Sequence, residues 1–134
     1  MNKIINIFLA SVVIVVSSIF GVHAKEPVPK LLKYETLNID STSDDYWSGV
    51  VPYSDLRSDH KRLMNKYQNI ILIKMANQMG LKVSDYKVMR KGIFEESSPD
   101  EYDLYYETMY KSICEVNIIS VHKNGDFDFY TTLC

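Results

Sequence analysis

The sequence predicts an α+β domain, in which one long amphipathic helix packs on a small antiparallel sheet that ends in a disulfide-linked C-terminal β-hairpin. Three observations carry that expectation. Between Ser54 and Met79, apolar side chains recur at spacings of three and four, and Gly80 follows where a helix stop belongs. From residue 114 to residue 134, two β-prone runs flank Lys123, Asn124 and Gly125, a turn signal. The only two cysteines, Cys114 and Cys134, bracket that hairpin.

Met1–Ala24 has a basic start at Lys3, an apolar run from Ile4 to Phe20 and a small-residue ending, the layout of a cleavable secretory signal cut after Ala24. A membrane anchor is the competing reading, because the apolar run approaches spanning length. Cleavage leaves 110 of the 134 residues, the size of one small domain. Lys3 is the one charged side chain removed, so 14 basic residues remain against 17 acidic ones. That mild balance argues against nucleic acid or an anionic membrane surface as the partner. Export into an oxidising compartment favours a bridge between the two cysteines, and closing that loop stabilises the fold by ~3 kcal/mol.

Residues 25–30 contain two prolines and read as a polar leader, with the domain itself spanning 31–134. Leu31–Ile39 alternates roughly enough for one short strand. Asp40–Ser54 is rich in Ser, Thr, Asp, Gly and Pro and is expected to be a loop around the lone tryptophan. Trp47 there either closes the edge of the core or stands out as an anchor for a partner.

The helix starts with Ser54 or Ser58 as cap, and a span from Ser54 would be about 37 Å long. Its stripe comprises Leu56, His60, Leu63, Met64, Tyr67, Ile70, Ile71 and Met75. The half from Ile70 to Met75 should lie on the sheet, while the half carrying Arg57, Lys61, Arg62 and Lys66 reaches into water.

Tyr86–Glu96 reads as a strand interrupted at Gly92. The stretch 99–111 supports two readings. Ser98, Pro99 and Glu101 form a capping-box pattern before a helical stripe of Tyr102, Tyr105, Tyr106, Met109, Tyr110 and Ile113. The same residues alternate as Tyr102, Leu104, Tyr106, Thr108 and Tyr110, which suits a strand. In the hairpin, a three-residue loop with left-handed Gly125 sets Cys114 opposite Cys134, and a two-residue turn sets Cys134 opposite Glu115. Both registers permit the bridge.

For chemistry, the chain after the signal keeps two histidines, His60 and His122. It has no nucleophile-elbow motif, no CysXXCys or HisGluXXHis zinc pattern and no glycine-rich phosphate loop, so neither a catalytic set nor a cofactor nor a metal is expected. Asp55, Asp59 and His60 could form an acid/base group, but acids beside Arg57, Lys61 and Arg62 on a first helical turn are ordinarily solvated. The sharper feature is a set of five acids within nine residues, Glu95, Glu96, Asp100, Glu101 and Asp103, followed at once by Tyr102 and Tyr105. Charge for steering and rings for contact area make these, with Trp47, the candidate surface for a protein partner.

In size, export signal and single disulfide the chain resembles two broad groups: periplasmic immunity proteins or enzyme inhibitors, and small accessory proteins of secretion or type IV pilus machines. No family motif is matched. The expectation is a non-enzymatic binding module of the periplasm, or secreted, whose partner is another envelope or secreted protein; a small envelope hydrolase is the competing class.

Overall fold

In the computed structural model, residues 28–37 and 41–134 are described. The expected signal at 1–24 and the first part of the leader lie outside them. Eight regular elements follow: β1 (Leu31–Thr36), α1 (Ser43–Trp47), β2 (Val50–Pro52), α2 (Ser58–Met79), β3 (Lys87–Phe94), β4 (Glu101–Tyr110), β5 (Ile113–His122) and β6 (Phe127–Leu133). The strands form one sheet in the order β1-β6-β5-β4-β3-β2. The expected α+β class holds, with a sheet of six strands that is larger than anticipated. Its pairing is antiparallel except at one edge, where β1 runs parallel to β6.

The hairpin takes the three-residue loop. The His122 amide donates to the Asp126 carbonyl, the Gly125 amide donates to the His122 carbonyl, and Gly125 sits at φ 95°. Glycine reaches that left-handed conformation without a Cβ penalty. The register then sets the Cys134 amide on the Cys114 carbonyl at 3.1 Å, and the two Cα atoms 5.4 Å apart carry the disulfide.

The stretch 99–111 is a strand, ten residues of β4 paired throughout with β5. Its neighbouring tyrosines Tyr105 and Tyr106 are both fully buried, on opposite faces. Each face of this strand thus buries an aromatic side chain, Tyr106 toward one side and Tyr105 toward the other. The Tyr106 hydroxyl donates to the Met64 carbonyl (2.6 Å), and the Tyr105 hydroxyl donates to Glu107 Oε1 (2.7 Å), so neither phenol is buried unpaired.

One face is covered by α2. Met64, Tyr67, Ile71 and Met75 pack on Leu104, Tyr106, Ile119, Phe127 and Phe129. Burial therefore runs along nearly the whole helix rather than only its second half, since Met64 and Tyr67 are as inaccessible as Ile71. The helix begins at Ser58 with Arg57 as N-cap and no capping side chain; Ser54 lies in a short 3₁₀ turn, Tyr53–Asp55. Gly80 ends the helix at φ 67° as expected.

The described part of the expected loop, residues 41–54, is more ordered than a loop, because Thr42 and Asp45 form a reciprocal capping box that starts α1. α1 lays Tyr46 and Trp47 on the second face of the sheet against Tyr105. β2 then adds to β3 at Gly92–Phe94. Gly92 does not interrupt β3; a Cβ there would collide with the Val51 carbonyl oxygen and with Val50 Cγ1, so glycine is what lets β2 approach.

Candidate functional site

At one end of the sheet three segments converge: the start of α2, the β3–β4 turn and the end of β2. Between them is a cleft of about 330 Å³ lined by Val51, Leu56, Ile93 and Phe94 on its apolar side, and by Asp55, Arg57, His60, Glu95, Ser97 and Tyr102 on its polar side. The walls are tied to the scaffold. The Glu95 amide donates to the Gly49 carbonyl (2.9 Å), the Leu56 amide to the Tyr53 carbonyl (3.1 Å), and Ser97 Oγ accepts from the Asp103 amide (2.8 Å).

His60 and Tyr102 form one wall, their rings edge to face at 5.1 Å and His60 Nε2 3.3 Å from the Tyr102 hydroxyl. Arg57 is held to Asp59 by a 2.7 Å ion pair, and Asp59 also accepts from the His60 amide. Asp59 is thereby committed to ordering the helix start. The Asp55 and Glu95 carboxylates have no hydrogen-bond or ion-pair partner among the described residues and are exposed, so their charge is unspent.

The five acids do not share one role. Glu95, Glu96, Asp100 and Glu101 are exposed on the turn and the beginning of β4. Asp100 lies 3.9 Å from Lys123 of the hairpin loop, and both are more than three-quarters exposed, so that pair is worth little. Asp103 is half-buried on the second face and accepts from Ser120 Oγ at 2.7 Å, a cross-strand bond within the sheet. Its carboxylate is tied into the sheet and set apart from the four exposed acids.

The aromatic candidates separate in the same way. Tyr102 belongs to the cleft. Tyr105 was expected beside it, and the structure overturns this: it is fully buried under α1, because β4 is covered on both faces and adjacent residues point apart. Burial first, then its bond to the Glu107 carboxylate, holds the Tyr105 phenol well above the ordinary tyrosine range. Trp47 is half-buried against Tyr105, with the Arg90 guanidinium 4.8 Å over its ring, and so closes the edge of the core.

Two groupings resemble catalytic or metal sites in composition, and in each the side chains are tied to other partners. Ser120, His122 and Asp128 lie on neighbouring positions of β5 and β6, yet Ser120 donates to Asp103, while His122 has Asp128 at 3.0 Å on one ring nitrogen and Glu101 at 4.0 Å on the other. Both imidazole nitrogens thus face carboxylates rather than the serine. Among the described residues, the metal-capable trio is Glu107, Cys114 and Cys134, whose sulfurs are joined to each other. A disulfide offers no thiolate ligand.

The apolar floor of the cleft was not visible in the sequence. Val51, Leu56 and Ile93 come from three separate segments, and only the β2–β3 pairing makes them neighbours. No protein-family model, curated protein or solved structure matches this chain.

Proposed function

We propose that this protein acts by binding: an exported domain, of the inhibitor or immunity type, that docks on another envelope or secreted protein through its acidic end and performs no catalytic step. The observation that supports this reading is the cleft lined by Asp55, His60, Glu95 and Tyr102, whose wall residues Glu95 and Tyr102 flank in sequence the exposed carboxylates Glu96, Asp100 and Glu101. An apolar floor supplies contact area, and the unpaired Asp55 and Glu95 carboxylates on its walls steer a basic partner. The disulfide suits an oxidising compartment. Among the described residues, no helix is long and apolar enough to cross a membrane.

The test begins with cross-linked capture from an envelope extract, followed by association kinetics of the captured protein. Glu95→Gln, Glu96→Gln, Asp100→Asn and Glu101→Gln combined should slow association about tenfold at low salt, with the difference closing as salt screens the field. An unchanged association rate at low salt removes the acidic end from the contact. A hydrolytic activity lost on His60→Ala, with the fold intact, would replace the binding reading by an enzymatic one.

A further inference from the structure

β3 is paired on its outer side along only part of its length. β2 meets it at Gly92, Ile93 and Phe94, so Lys87–Lys91 is a free sheet edge among the described residues, roughly 16 Å long at 3.3 Å per residue. α2 runs beside this edge and presents Gln68 and Leu72 to it. Between edge and helix lies an open groove of about 570 Å³, with Tyr53 and Tyr86 among its lining residues.

The charge in this groove is incomplete. Two of its lining residues are charged, Arg90 and Lys91. Arg90 spends its guanidinium elsewhere, on Glu107 and Asp44 at 2.7 Å each. Lys91 Nζ is held by neutral groups: Gln68 Oε1 at 2.6 Å, Asn65 Oδ1 at 3.3 Å and the Tyr53 ring at 4.3 Å. Burial pulls the Lys91 pKa below the usual lysine range, as expected for a partly desolvated ammonium without an anion.

We propose that Lys87–Lys91 is a strand-addition site that takes an extended segment of a partner protein, one of whose carboxylate side chains pairs with Lys91. Outward backbone groups of the free edge supply the hydrogen bonds, alternate side chains of the added segment enter the groove against Leu72 and Val88, and Lys91 selects an acidic residue. A second copy of this chain is the wrong occupant for this mode. Edge against edge would bring the lysines of two copies, Lys87 and Lys91, together with no carboxylate to separate them. The site stands apart from the acidic cleft and does not depend on the function proposed for it.

The experiment titrates nitrogen-15-labelled protein with the capped peptide acetyl-Thr-Val-Glu-Val-Thr-amide and with its Gln counterpart. The Glu peptide should saturate, shift the amides of Lys87–Lys91 and of Gln68 and Leu72, and slow hydrogen exchange along the edge. The Gln peptide should bind about tenfold more weakly, and Lys91→Met should abolish the difference by bringing the Glu peptide down to the level of the Gln peptide. Equal affinity of the two peptides for the unaltered protein, no saturation at millimolar peptide, or shifts centred on Glu95–Tyr102 would each overturn the proposal. If Lys91→Met fails to fold, the comparison of the two peptides on the unaltered protein still decides it. Sedimentation supplies a separate check: a dimer of the free protein that Met89→Pro converts to monomer would assign the edge to self-association instead.

Discussion

Gly92→Ala is the substitution whose sign separates the architecture from a plain reading of the chain. A glycine that merely interrupted a strand would gain from alanine, because the unfolded chain loses entropy, by about 0.4–1 kcal/mol. The structure dictates the opposite. Gly92 has no positive φ, but an alanine Cβ would lie 2.5 Å from Val50 Cγ1 and closer still to the Val51 carbonyl. A backbone carbonyl cannot swing aside as a long side chain can, so β2 must shift or peel away. β2 is held by three register pairs, Val50 with Phe94, Val51 with Ile93 and Pro52 with Gly92. Peeling would surrender the burial of Val50, which is 6% exposed and packs on Tyr105 and Val116. That loss is worth about 1.5–3 kcal/mol, in line with the ~1–3 kcal/mol cost of overpacking a tight site. Urea denaturation should therefore show Gly92→Ala less stable by roughly 1–3 kcal/mol, together with faster hydrogen exchange at the Glu95 amide, which bonds to Gly49 beside β2. Gly49→Ala serves as control, since its Cβ would meet nothing nearer than 3.8 Å. A Gly92→Ala protein as stable as the parent would refute the close approach of β2 to β3.

Ile71→Ala should cost about 2–5 kcal/mol, because Ile71 is fully buried under the sheet, whereas Lys66→Ala should change stability by ~0.5 kcal/mol or less; equal midpoints in denaturant would mean the helix is rotated. Protein isolated without reductant should have a mass two hydrogens below the dithiol form, and Cys114→Ser with Cys134→Ser should lose ~3 kcal/mol; two alkylatable thiols in the native protein would count against the bridge. The Glu115 carboxyl is half-buried without a hydrogen-bond partner among the described residues, and burial raises its pKa. The folded state then binds the proton more tightly than the unfolded state, so stability is retained in acid and a penalty grows as pH rises through the ordinary glutamate range and past the raised value. Glu115→Gln should accordingly raise the melting temperature at pH 7 and have little effect at pH 3, and a lower melting temperature at pH 7 would contradict the burial of that carboxylate.

What the chain determined by itself is local. Lys123, Asn124 and Gly125 narrow the hairpin to two registers, both of which bring Cys114 and Cys134 together, and the structure takes the one with Gly125 left-handed. The periodicity before Gly80 specifies a helix and most of its buried stripe. Even the order in residues 41–54 was written locally, in the Thr42–Asp45 capping box, although five residues of helix are too few to stand without the sheet beneath them.

Tertiary structure decided what local patterns leave degenerate. Tyr102–Tyr110 carries a helical spacing and a strand alternation at once, and pairing to β5 on one side and β3 on the other selects the strand. That pairing also buries Tyr105, since α1 supplies a second cover only after β1 has carried the chain to the far edge, parallel to β6 and nearly a hundred residues away in sequence. The candidate cleft has the same origin. Its acids and Tyr102 are contiguous enough to be noticed in the sequence, but its floor joins β2, the turn before α2, and β3. No sequence window holds all three, because side chains separated by forty residues become neighbours through strand pairing and burial, and neither leaves a mark on residue spacing.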